Sequence, residues 1–118
     1  MAKSESRETT FDHDLRGLPQ LEPVLERLTG ELCETLGRED RRGRTIGIKV
    51  RLDDFTTLTR ARSLDAAVND SETVGSVALA LLRRLDPTRP VRLLGVRVAG
   101  LDEESAQAAP DDQLSLSL

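Results

Sequence analysis

The chain has 118 residues, enough for one domain with a single core. One cysteine and one histidine exclude an internal disulfide and supply too few ligands for a zinc or haem site. The formal net charge is −4, but the signs are segregated: residues 41–99 hold twelve basic against six acidic side chains, and residues 100–118 hold five acids and no base.

Residues 1–11 are polar, with Thr9, Thr10 and Phe11 favouring extended backbone, and read as coil or an edge strand. His13, between Asp12 and Asp14, reads as a surface residue in a turn. Leu18, Leu21, Leu25, Leu28, Leu32 and Leu36 recur at steps of three or four, which predicts an amphipathic helix. Pro23 is tolerated only in a first turn, so the regular helix is expected from about Glu22, and Gly37 is the expected C-terminal cap. Cys33 falls on the flank of the apolar stripe. It reads as a small core residue, because no neighbouring His or Asn would activate it.

The stretch RTIGIKVRLDDFTTLTRARSL, from Arg44 to Leu64, reads as a hairpin. In its first strand Ile46, Ile48, Val50 and Leu52 alternate with Thr45, Gly47, Lys49 and Arg51. A period of two sends the aliphatic set to one face and the polar, basic set to the other. Asp53 and Asp54 supply turn chemistry. The second strand is expected over Phe55 to Leu64, and its poorer alternation would follow from a bulge near Leu58. Residues 65–70 read as a loop in which Asn69, Asp70 and Ser71 are alternative N-caps for a second helix. Val74, Val77, Ala78, Leu81, Leu82 and Leu85 give that helix its apolar stripe, and Asp86-Pro87 ends it.

A last strand runs from Val91 to Ala99, with Leu94, Val96 and Val98 alternating with Gly95 and Arg97. Arg97 should join the basic face, and Gly95 marks a bulge or a close backbone approach. From residue 102 the chain turns acidic and rich in Ala and Ser, which reads as a disordered linker, and it ends QLSLSL, which reads as a docking peptide.

Neither spacing of a phosphate-cradling glycine loop occurs, and no carboxylate pair sits where metal-ion catalysis would need it. With two Phe and no Tyr or Trp, the chain has no stacking platform for single-stranded bases. Lys and Arg with small hydroxyls suit phosphate contacts on a duplex instead.

The order strand, helix, strand, strand, helix, strand carries KVRLDDFTTLTRARSL, then LALLRRL, then RPVRLLGVRVAGL, with KSESRETTF at the start. These segments closely resemble the little finger domain of Y-family translesion DNA polymerases, of the bacterial DNA polymerase IV type. The resemblance covers roughly residues 3–101, and FTTLTRARSL and PVRLLGVRV are its most specific pieces. It implies an α+β fold: a four-stranded antiparallel sheet with two helices on one face, and the other face along the major groove of a primer–template duplex. The matching phosphate-contacting positions are Ser4 and Ser6 on the first strand and Lys49 and Arg51 on the second. Thr57, Thr59, Arg60 and Arg62 match on the third strand and Arg97 on the fourth.

The resemblance further implies a piece of a longer, error-prone polymerase that copies past damaged bases. The palm, fingers and thumb are missing, so this chain alone is expected to be catalytically inactive, with magnesium needed only in the absent catalytic domain. QLSLSL is similar to the hexapeptide by which bacterial replication proteins bind the sliding clamp. Gln113 would enter a polar pocket, and Leu114, Leu116 and Leu118 would complete the peptide, with Leu116 and Leu118 in an apolar cleft. The expected organisation is a DNA-binding domain over residues 1–101 and a linker with clamp peptide over 102–118. The expected partners are double-stranded DNA and the clamp, with no membrane, in a bacterial cytoplasm, as a monomer. The competing reading is a module whose sheet docks a protein partner.

Overall fold

Leucines at steps of three and four bury one stripe of the first helix, and the alternating aliphatics of the strands bury one face of a sheet. Those two surfaces meet in a single core. The computed structural model describes residues 3–101. The elements are β1 (Lys3–Leu15), α1 (Leu18–Arg38), β2 (Gly43–Leu52), β3 (Thr57–Val68), α2 (Ser71–Leu85) and β4 (Val91–Leu101). The strands form one antiparallel sheet in the order β1-β4-β2-β3. Helix α1 packs on β1 and β4, α2 packs on β2 and β3, and the helices touch each other. The core joins Leu21, Leu25, Leu32 and Leu36 of α1 and Val74, Ala78 and Leu82 of α2 to Ile46, Ile48 and Val50 of β2 and Leu94, Val96 and Val98 of β4.

Several boundaries differ from those the sequence predicts. The first strand is continuous over Lys3–Leu15 and, among the described residues, pairs only with β4 at the edge of the sheet, and His13 lies within it rather than in a turn. Its apolar residues pack on the core only at Phe11 and Leu15, toward its far end, and its inward positions Glu5, Arg7 and Thr9 are polar, which hides its period. Arg7 is held there by a 2.7 Å bond from Nη2 to Thr35 Oγ1.

Helix α1 begins at Leu18, one turn earlier than expected, and Pro23 lies inside it. The amide that Pro23 lacks would have met the Pro19 carbonyl, and both prolines are exposed, so water can serve that group. Gln20 anchors the start by accepting the Arg16 amide at 2.7 Å. Gly37 does not cap the helix. Asp40 takes the left-handed backbone (φ 53), and the Arg41 amide bonds the Leu36 carbonyl at 2.9 Å to close the end.

Phe55 belongs to the turn, not to β3. It has φ 70, and the Leu52 carbonyl accepts its amide at 2.9 Å. Asp54 braces the same turn by accepting the Thr56 amide at 3.0 Å. The β2–β3 register is regular through Leu58, and the irregularity lies at the other end, between Gly43 and Thr45. Strand β3 also runs on to Val68, through residues expected as loop. Of the three candidate caps for α2, Asp70 does the work, accepting the Thr73 amide at 2.8 Å. Asp86 closes its other end in the left-handed region, its amide bonding the Leu82 carbonyl at 2.8 Å.

Candidate nucleic-acid interface

In an antiparallel sheet, residues directly opposite each other share a face. The register therefore sorts every strand residue. Four rows cross the helix-free face: Ser4, Ala99, Thr45, Ser63; then Ser6, Arg97, Gly47, Ala61; then Glu8, Gly95, Lys49, Thr59; then Thr10, Leu93, Arg51, Thr57. Seven of the nine residues expected to touch phosphates stand in these rows: Ser4, Ser6, Lys49, Arg51, Thr57, Thr59 and Arg97.

The other two stand elsewhere. Arg60 pairs with Ile48 and Arg62 with Ile46, so both side chains leave the sheet on the core-bearing side. Strand β3 is an edge, and both arginines are exposed beyond the packed helices. From that side they approach a ligand around the edge, and Arg60 is also among the residues lining the depression of the open face. Arg60 bends back so that Nη1 donates to the Thr59 carbonyl at 2.7 Å.

The centre of the open face is a depression of about 480 Å³, lined among others by Ser6, Glu8, Lys49, Thr59 and Arg97. Its floor is low because Gly47 and Gly95 carry no side chains on the two central strands. Gly95 is the close backbone approach rather than a bulge, since the pairing runs through it in register on both sides. Hydrogen bonds fix part of the lining. Arg51 Nε donates to Thr57 Oγ1 at 3.0 Å, and Thr45 and Ser63 share a hydroxyl bond of 2.9 Å. Lys49 Nζ lies 3.3 Å from Glu8 Oε1. Arg97 is exposed and, among the described residues, has no ion-pair or hydrogen-bond partner from its guanidinium.

Three of these features escaped the sequence reading. Glu8 is a carboxylate on an otherwise basic and hydroxylated face. It continues the alternation Ser4, Ser6, Glu8, Thr10, which becomes visible once residues 3–15 are read as a strand. Alternation alone places Gly47 in the polar set, and its role in the floor depends on Gly95 standing beside it in the next row. Leu93 is apolar and only 4% exposed, although its row puts it on the open face between Thr10 and Arg51.

The cations and small hydroxyls of this face suit it to holding a polyanion. Among the described residues no three His, Cys, Asp or Glu side chains gather to hold a metal ion, and no helix is long and apolar enough to cross a membrane. The expected clamp peptide, Gln113, Leu114, Leu116 and Leu118, lies outside the described residues, as does the expected linker.

Comparison with known proteins agrees with this geometry. The model of the impB/mucB/samB family C-terminal domain matches residues 2–116. A DNA polymerase IV of Methanoculleus marisnigri is 40% identical over 111 residues, which is 94% of this chain and 31% of that protein. A DNA polymerase IV of Streptomyces coelicolor is 40% identical over 114 residues, 92% of this chain and 24% of that protein. The chain thus spans about a third or less of the curated relatives it matches. Among solved structures, the little finger domain of a PolIV in complex with a beta-clamp processivity factor superposes with a TM-score of 0.69 at 24% identity, covering 98% of both chains. A ternary complex of the polymerase Dbh gives a TM-score of 0.70 at 21% identity, over 80% of this chain and 28% of that one. At those identities the structural likeness speaks for the fold. The family match and the curated relatives speak for descent, and together they show that the chain belongs to the impB/mucB/samB C-terminal domain family, with DNA polymerase IV proteins as relatives and the fold of a PolIV little finger domain.

Proposed function

We propose that this domain grips the primer–template duplex for an error-prone translesion DNA polymerase. It holds backbone phosphates across the major groove and does none of the chemistry itself. The observation that carries the reading is the helix-free face, where Lys49 and Arg97 flank a glycine-floored depression in adjacent rows. The hydroxyls of Ser6 and Thr59 share those two rows, and those of Ser4 and Thr57 stand in the rows on either side. Small hydroxyls and long cations supply donors without reading base edges. That is what a polymerase needs when it must hold any sequence.

The last six residues, with Gln113, Leu114, Leu116 and Leu118 as anchors, would tether the chain to a sliding clamp through the linker of residues 102–118. The polymerase-IV little finger solved with its clamp supports this reading by kinship. DNA repair and damage tolerance in a bacterial cytoplasm follow as the setting of such an enzyme, with magnesium confined to the catalytic part.

The test is binding of labelled primer–template duplex and of purified clamp, each at two salt concentrations, by the whole chain and by a chain lacking residues 113–118. Steep salt dependence for DNA, and clamp binding that vanishes with the tail, support both sites. Duplex binding that is absent or indifferent to salt would instead favour a sheet that docks a protein.

A further inference from the structure

Glu8 is the one acid in the four rows of the open face. It sits opposite Gly95, and Lys49 sits opposite the same glycine from the other side. The two side chains therefore meet across β4, two strand spacings apart, in space that Gly95 leaves empty. Glu8 Oε1 comes 3.3 Å from Lys49 Nζ and 3.6 Å from where a Cβ on Gly95 would be. A carboxylate thus lies over the floor of the depression, beside its lysine. Its two oxygens are chemical stand-ins for two phosphate oxygens.

We infer that Glu8 is an internal competitor of the DNA backbone for Lys49. In the unbound domain the carboxylate fills the seat over Gly95. A duplex phosphate must displace it, or else approach a lysine that is already neutralised. This rests on the duplex-gripping function proposed above and adds to it a residue that weakens the grip. Both partners are partly exposed, 37% for Lys49 and 46% for Glu8. The pair is therefore labile rather than locked. A domain that must let the duplex slide after each added nucleotide gains from such a contact, because releasing a phosphate is compensated at once by an internal anion.

Glu8→Gln is the deciding variant, made in the whole chain and titrated with labelled duplex over a range of salt. Neutralising the competitor should tighten binding roughly fivefold, the scale of one exposed charge contact. It should also steepen the salt slope by roughly 0.9, one added phosphate. In a Lys49→Met background the same change should leave the slope where it is. Glu26→Gln, on the exposed side of α1, should leave it unchanged as well. Weaker binding by Glu8→Gln, or an unchanged slope, would overturn the inference and make Glu8 a support for Lys49 instead. If the unaltered chain shows no salt-dependent binding to duplex, the function proposed above falls, and this inference falls with it.

Discussion

Gly95 of β4 stands so close to Glu8 of β1 that an added Cβ would lie 2.9 Å from the Glu8 Cβ and 3.4 Å from the Arg7 carbonyl oxygen. Backbone and Cβ atoms cannot swing aside as a flexible tip can. Gly95→Ala should therefore push β1 away from β4 and destabilise the fold by about 1–3 kcal/mol. Gly43→Ala should cost more, because the added atom would meet both the Ala99 carbonyl and the Val98 side chain. Gly30, within α1, faces open space, and Gly30→Ala should stabilise by about 0.5–1 kcal/mol. Urea unfolding of the three variants gives the order directly, and equal losses at all three would refute the packing argument.

Cations on the two sides of the sheet should not count equally. Lys49 and Arg97 stand in the rows of the open face, whereas Arg60 and Arg62 leave the sheet on the other side of its edge. Arg97→Ala should lower the salt slope of duplex binding by roughly 0.9, and Lys49→Ala, whose lysine is already paired with Glu8, should lower it by less. Arg60→Ala and Arg62→Ala together should lower it by at most roughly two units, and equally for all DNA sequences, if the duplex reaches around the β3 edge. Slopes from titrations at several salt concentrations separate the two pairs. A loss that depended on DNA sequence would mean base readout.

Three carboxylates tie stability to acid. Arg83 grips Glu22 across the helices, through Nε at 2.9 Å and Nη2 at 3.1 Å, and that hydrogen bonding holds the Glu22 carboxyl below its ordinary 4.5. The side chain and amide of Thr73 do the same for Asp70, and the amide and hydroxyl of Thr56 for Asp54, both below the ordinary 3.8. A group whose folded value is depressed stabilises the fold at pH above its unfolded value and loses that contribution as pH falls through the folded one. Stability should therefore be flat near neutrality and begin to decline near pH 4.5, continuing below 3.8. Arg83→Met should lower the neutral plateau and converge with the unaltered chain in acid. Thermal melts across that range measure both, and a Met variant that ran parallel to the unaltered chain down to low pH would remove Glu22 from the account. Asp70→Ala, which deletes the N-cap, should cost about 1 kcal/mol at neutral pH.

The thiol of Cys33 should be inert until the domain opens. Only 6% of the residue is exposed, and burial, with a lesser push from the Asp70 charge, raises its pKa to about 11. Since the thiolate is the nucleophile, alkylation near neutral pH should be slow in the folded chain and should accelerate in step with unfolding in urea. Fast labelling of the native chain would show that α1 lifts from the sheet.

Much of this was legible from spacing. The leucines of α1, the stripe of α2 and the alternation of β2 and β4 each repeat at the period of the element they form, because one side of each is buried. The edges were harder. On β1 the inward positions Glu5, Arg7 and Thr9 are polar, with Arg7 bonded to Thr35 of α1 and Glu5 paired with Arg41 of the loop after it, so the apolar signature shrinks to Phe11 and Leu15. On β3 the inward series reads Leu58, Arg60, Arg62, and the arginines stay exposed there because β3 is the edge of the sheet. That irregularity invited a bulge where the register has none, and it concealed the face to which Arg60 and Arg62 belong. The ion pair of Glu8 with Lys49 joins residues 41 apart in the chain, and only the pairing of β1 with β4 and of β4 with β2 brings them together.

The placement of β4 has a consequence for the order in which the molecule can be made. Among the described residues it is the last strand in sequence, yet it lies between β1 and β2 and supplies the one strand pairing that β1 has. A nascent chain that has emerged only as far as Leu85 holds two helices and the β2–β3 hairpin, with β1 unpaired. Both elements most exposed to wrong pairing, β1 and the inner side of β2, must then wait for a segment still inside the ribosome. Such a domain closes late and all at once, because its longest-range contacts can form only when its final strand arrives.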